Sequence, residues 1–340
     1  MRGVAALSVV CGHAVSARPD MVGPRLAEGA LTILASGVDL FFVISGFIIA
    51  ATAATQPNPL DFVFRRAVRL FPVYWLVLLA AFVSSSWIAL SPGERPALDL
   101  GTVFAWTYPN WYLAPAWSLA FELHFYAAVA VLLAIKPSRL FEMLFAGFGL
   151  VVLALVFGLE LGIYFHPLVL EFGAGVGIAY LQRSGRLHFS RRIPAVAASL
   201  FVAGWYWIFV HGTTQPQFAR VLTYGLGAGL LIHAVVAVEI ERRSFSPVLQ
   251  WLGKISYSMY IVHYLVVKWI ASFAGLWLLS TVGTIIATIL LSIGLAAALH
   301  FTIEAPILDW GRKLSLMRSH RSMPDLPGSQ GRRAYPAGTE

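Results

Sequence analysis

Arg2 and His13 stand eleven residues apart in the first apolar stretch of this chain. A titratable group among apolar neighbours is costly at membrane depth, so it marks a functional site by default. On one helix the two lie about three turns, roughly 16 Å, apart, with Arg2 nearer the cytoplasm. A neutral imidazole held there can act as a base. The other reading of His13 is a side chain hydrogen-bonded to a neighbouring helix with no chemistry. Cys11 lies about 200° around the helix from His13, so the two cannot pair. Cys11 reads as a small core residue. It is the single cysteine, which excludes an intrachain disulfide.

Three further sets of residues have spacing that matters. Arg66 and Arg69 share one face of any helix. Two guanidinium forks bind phosphates bidentately, although loop charges or lipid anchors look the same in sequence. Arg65 is expected at the lipid headgroups. Ser118, Glu122 and Tyr126 are spaced by four and share a face. A membrane carboxylate should face the bundle interior and have a partner. Glu122 can orient His13 or a substrate hydroxyl, brace an arginine, or serve structure alone. Asp39 either pairs with a cation or binds substrate. Ser256, Tyr260 and His263 form another helical stripe, read as a polar seam between helices. Gly173, Gly175 and Gly177 lie in an apolar helix and suit close packing. No metal site is expected.

The elements that position these residues follow from hydropathy. Of 340 residues, 59% are hydrophobic and 12% charged, with a mean hydropathy of +0.76. A soluble domain is about 45–50% apolar and about 25% charged. The chain is therefore expected to be all-α, a polytopic membrane helix bundle. Apolar stretches of near-spanning length recur at 2–17, 30–52, 72–90, 117–135, 140–158, 167–182, 193–210, 221–238, 255–274 and 279–303, which is about ten helices. With the N-terminus cytoplasmic, the 24 Lys and Arg all fall on the cytoplasmic side except Arg18, Arg25, Arg95, Arg220 and Lys268. That asymmetry puts both termini in the cytoplasm. The net charge of +8 is spread over short loops, which fits orientation and argues against a nucleic-acid partner. Residues 1–310 read as one membrane domain and 311–340 as a disordered tail. Read instead as a cleaved signal peptide, residues 1–17 would be lost, and His13 with them.

Five segments, in order, carry a resemblance. They are Arg2-Gly-Val-Ala-Ala-Leu with His13, Gly37-Val-Asp39-Leu-Phe-Phe-Val-Ile-Ser45-Gly46-Phe47, Phe64-Arg-Arg66-Ala-Val-Arg69-Leu-Phe-Pro72-Val-Tyr74, Trp117-Ser118-Leu-Ala-Phe-Glu122-Leu-His-Phe125-Tyr126, and Leu252-Gly253-Lys-Ile-Ser256-Tyr-Ser-Met-Tyr260-Ile-Val-His263. Over about residues 1–310 the chain resembles the integral-membrane acyltransferase 3 family, in particular its exopolysaccharide O-acetyltransferases. The family often has Glu-Glu-Gln where this chain has Glu122-Leu-His124. The resemblance implies that His13 removes a proton from an acceptor hydroxyl as it attacks a thioester, with Arg2 as its motif partner. It also implies that Arg66 and Arg69 hold the phosphates of cytoplasmic acyl-CoA, most simply acetyl-CoA, with no metal. The acceptor would be a sugar, polysaccharide or glycolipid hydroxyl, and the enzyme a multi-pass protein of a bacterial-type inner membrane. Asp39, Ser118 and Tyr126 are the substrate-binding candidates. The competing reading is a proton-coupled transporter using the buried His, Asp and Glu.

Overall fold

The computed structural model describes residues 1–17, 29, 31–34, 36–88, 98–159, 161–211, 217–240, 245–273 and 280–321. Among these every regular element is helical. We number the main helices α1 Arg2–Ser16, α2 Gly37–Thr55, α3 Pro59–Ser84, α4 Trp117–Ile135, α5 Leu140–Val156, α6 Val169–Arg183, α7 Arg192–His211, α8 Gln217–Ile240, α9 Pro247–Phe273, α10 Thr281–Leu299 and α11 Ala305–Arg321. Two π-helical turns interrupt the run, Val221–Gly225 inside α8 and His300–Glu304 between α10 and α11. Six helical segments are long and apolar enough to cross a membrane: Leu31–Thr55, Pro59–Ser84, Ala114–Ile135, Pro137–Val156, Gln217–Ile240 and Val282–Ser315. Arg2–Ser16 is apolar but shorter.

Two boundaries differ from the hydropathy reading. Helix α3 starts at Pro59, 13 residues before the expected 72. Asn58 caps it, its side chain accepting from the Leu60 and Asp61 amides, and Pro59 sits at the first helical position, where a missing N–H costs nothing. At the other end α11 carries helix on to Arg321, past residue 311 where the tail was expected; residues 322–340 lie outside the described residues.

The bundle is held by close backbone approach. α2 packs along α6, α1 along α9, and α9 along α10. A Cβ on Gly46 would run into the Phe172 carbonyl, and one on Gly175 into the Val43 carbonyl. Small residues at such crossings let dispersion and packing act where no hydrophobic force separates helix from lipid. Gly175 thus has the packing role expected of it, and the crossing fixes Ser45 on the inner face of α2.

The segment before α4 is tied down at both ends. Asn110 donates to the Tyr74 hydroxyl at 2.9 Å and accepts from the Tyr112 and Leu113 amides. Tyr74 donates to the Thr102 carbonyl. Pro115 offers its carbonyl to Tyr260 at 3.0 Å. Helix α4 therefore enters the bundle at a fixed height, and that height sets where Ser118 and Glu122 fall.

Candidate active site

A narrow cavity of about 50 Å³ lies between α1, α2, α3, α4 and α9, and among its lining are Arg2, Ser45, Arg69, Ser118, Glu122 and Tyr260. It has room for a few water molecules. Glu122 accepts from Ser45 Oγ at 3.0 Å and from the Tyr126 hydroxyl. The second bond is the four-residue spacing on α4 made real. Ser118 and Tyr260 share a hydrogen bond of 2.7 Å, and both reach the Pro115 carbonyl. Arg2 is within electrostatic reach of Glu122, Arg69 and Arg66. Three guanidiniums against one carboxylate leave this end of the bundle short of negative charge.

Arg69 also lines a wider groove of about 330 Å³ with Thr52, Arg65, Arg66, Leu308 and Arg312. The arginines there are not equivalent. Arg65 is held by Asp61 at 2.7 Å and by Ser315 Oγ at 3.3 Å. It is tied to Asp61 on its own helix and to α11 through Ser315. Arg66 donates to Thr52 Oγ1 at 2.7 Å and lies over the rings of Phe62 and Tyr126, each 5.4 Å away. Among the described residues Arg69 makes no hydrogen bond or ion pair, so its donors are free. Arg312, which the sequence reading placed in the tail, joins the groove.

The remaining candidates lie elsewhere. His13 is outside the cavity lining, and Glu122 does not touch it. Its Nδ1 is 3.0 Å from the Val9 carbonyl and its ring 5.1 Å from that of His263. Asp39 is buried and grips Arg220 with two hydrogen bonds of 3.0 and 2.8 Å. Arg220 is thus an internal partner and not an outer-loop charge, because a buried carboxylate needs a cation. Glu171 sits beside this pair, buried, with neither oxygen hydrogen-bonded among the described residues. The sequence offered one signal for Arg220: a lone arginine at the head of an apolar stretch. In the stripe on α9, Ser256 and Tyr260 do line the cavity. His124, the departure from the family pattern, stacks on Trp106 with centroids 3.9 Å apart.

Comparison with known proteins identifies the family. The acyltransferase 3 family's acyltransferase domain matches residues 1–300. The exopolysaccharide production protein ExoZ of Rhizobium meliloti is 31% identical over 301 residues, 83% of this chain and 92% of that protein. The acyltransferase MdmB of Streptomyces mycarofaciens is 26% identical over 380 residues, 96% of this chain and 94% of that one. No solved structure matches the chain. Neither relative is named as a transporter, and that reading has no support. With the family's acyltransferase domain spanning residues 1–300, the chain belongs to the acyltransferase 3 family and is an acyltransferase.

Proposed function

We propose that this chain is an integral-membrane O-acyltransferase. It moves an acetyl group from cytoplasmic acetyl-CoA to a hydroxyl of an exopolysaccharide, its sugar precursor or a glycolipid. The observation that carries the reading is Arg69. It lines both the basic groove and the narrow inner cavity, so an anion bound by Arg69 in the groove lies next to the space beside Arg2 and Glu122. The free donors of Arg69 and the aromatic-backed Arg66 suit the phosphates of CoA. From there the flexible arm of CoA leads along α1 toward His13, about three helical turns from Arg2. The Val9 carbonyl can only accept, so His13 carries its hydrogen on Nδ1 and keeps a lone pair on Nε2.

In this mechanism the acceptor O–H gives its proton to His13 Nε2 as the oxygen attacks the thioester carbonyl. The C–S bond then breaks, and the thiolate leaves and is protonated. Glu122, held by Ser45 and Tyr126, steadies the arginines around the donor. Asp39 is given no part in catalysis, since Arg220 occupies both its oxygens. Residues 1–310 act as one membrane domain with about ten spans and both termini cytoplasmic, in an inner membrane. The distribution of Lys and Arg supports that orientation. The Rhizobium meliloti relative, an exopolysaccharide production protein, supports the class of acceptor.

The test is transfer of labelled acetyl from acetyl-CoA to a polysaccharide acceptor by purified protein, with His13→Gln alongside. Glutamine can hydrogen-bond but cannot act as a base near neutral pH. A general base contributes about 10²–10⁴-fold. His13→Gln should therefore lose that much turnover while binding CoA normally. Near-normal turnover in His13→Gln would remove His13 from the reaction.

A further inference from the structure

His263 sits one turn beyond Tyr260 on α9, wholly buried, and it has no place in the scheme above. Its Nδ1 lies 2.7 Å from the Tyr260 carbonyl. A carbonyl only accepts, so this nitrogen carries the hydrogen and Nε2 is a bare lone pair. Among the described residues that Nε2 has no hydrogen-bond partner. A buried polar atom without a partner is rare enough to require an explanation. The His13 ring lies beside that of His263, with centroids 5.1 Å apart and planes tilted by 57°. Both imidazoles are thus locked in the same tautomer, each with its lone pair on Nε2.

Two neighbouring neutral imidazoles, each with a bare Nε2, form no hydrogen bond with each other. One added proton changes that, since a protonated His13 can donate from Nε2 to the Nε2 of its neighbour. A base that becomes charged away from water needs such a partner; where a carboxylate is present, it supplies the stabilisation. Here no acid hydrogen-bonds or ion-pairs with either ring among the described residues. Glu122 is taken by Ser45 and Tyr126. Glu304 is taken by Ser258 and His300, on another face of α9.

We propose that His263 is the positioning partner of His13, accepting a hydrogen bond from the imidazolium that forms when His13 takes the acceptor's proton. The proton then returns from the pair to the departing thiolate, so the balance of the transfer is unchanged. This rests on His13 being the base. Among the described residues the titratable neighbours of the pair are few. Helix α1 supplies only Arg2 and Cys11 besides His13. From α9, Tyr264 stands edge-on to His13 at 6.4 Å, Tyr260 lies 5.8 Å from His263, and Lys268 is over the Tyr264 ring at 5.4 Å. Lys254 and Tyr257 lie further back on α9, and α10 carries no titratable residue.

The experiment compares His263→Phe with His263→Gln in the purified full chain, reading transfer, CoA affinity and the pH profile of kcat. Phenylalanine fills the space without an acceptor, whereas glutamine keeps one. Losing a hydrogen bond to a charged group corresponds to about 10–150-fold. The Phe variant should lose that much kcat with KM for acetyl-CoA unchanged, and its acid limb should move to lower pH. The Gln variant should recover most of both. Wild-type kcat and pH profile in His263→Phe would overturn the proposal, as would equal loss in both variants accompanied by lost CoA affinity. If neither variant reaches the membrane, histidine ¹⁵N resonances of the wild-type protein decide. Two Nε2 signals moving together through one transition, and separating in His13→Gln, support the pair; independent titration overturns it. Normal His263→Phe beside an inactive His13→Gln defeats only this inference, whereas an active His13→Gln defeats the catalytic reading beneath it.

Discussion

Arg69 should carry more of the donor's binding than Arg66, and Arg65 almost none. The order follows from what each guanidinium must give up. Among the described residues Arg69 gives up nothing. A hydrogen bond to a charged group is worth about 1.5–3 kcal/mol, and about 1.4 kcal/mol is tenfold in Kd. Arg69→Ala should then weaken CoA binding by roughly 10–150-fold. Arg66 must exchange its 2.7 Å bond to Thr52, worth about 1 kcal/mol. Its net contribution falls to roughly 2–30-fold. Arg65 already has Asp61 at 2.7 Å, so Arg65→Ala should stay within about twofold, the small scale of exposed pairs. The assay is calorimetric titration of CoA into each purified variant, at two salt concentrations because surface phosphate contacts are screened. Equal affinities for Arg69→Ala and Arg65→Ala would refute the assignment of the groove to donor phosphates.

Glu122→Gln removes the charge that faces Arg2 and Arg69 but keeps the side chain's size. Turnover should fall about a hundredfold, the low end of what a catalytic group contributes, while CoA binds as tightly or more so; wild-type turnover in an acetyl-transfer assay would exclude a role. Around Asp39 the asymmetry is testable by thermal unfolding in detergent. Asp39→Asn leaves Arg220 with Glu171 beside it and should cost little, whereas Arg220→Met strands two buried acids and should cost about 3–5 kcal/mol. Gly175→Val puts a branched side chain into the Val43 carbonyl and should abolish folded protein, as judged by size-exclusion of the detergent extract; Gly177→Ala, which meets nothing within 4 Å, should be silent.

What could be read from the sequence was what one helix determines. The spacing of Ser118, Glu122 and Tyr126 by four placed them on a face, and the Tyr126–Glu122 bond bears that out. Partners across helices were not legible, because they depend on how helices pack. Ser118 and Tyr260 are 142 residues apart, and Arg220 and Asp39 are 181 apart. No period links such pairs. Likewise the stripe of Ser256, Tyr260 and His263 was visible, but a seam with every group satisfied was not what formed. Ser256 and Tyr260 find carbonyls and Ser118, while His263 keeps an orphaned nitrogen.

The start of α3 shows why hydropathy misplaced a boundary that the chemistry needs. Three arginines within five residues lower the local hydropathy, so the span is read as beginning at 72. Hydropathy prices every arginine as if it faced lipid. In the structure Arg65 is neutralised by Asp61 one turn earlier, and Arg66 is shielded by Phe62, Tyr126 and Thr52. With their charge met locally, the helix can start at Pro59 behind its Asn58 cap. Arg69 then falls in the third turn of α3, not in a loop before it. A loop arginine would sample many positions and lose rotamer freedom on binding an anion. On the helix its backbone is fixed where the groove meets the inner cavity. Arg65 is held by Asp61 and Arg66 is partly engaged by Thr52, while Arg69 stands there with its donors unused among the described residues.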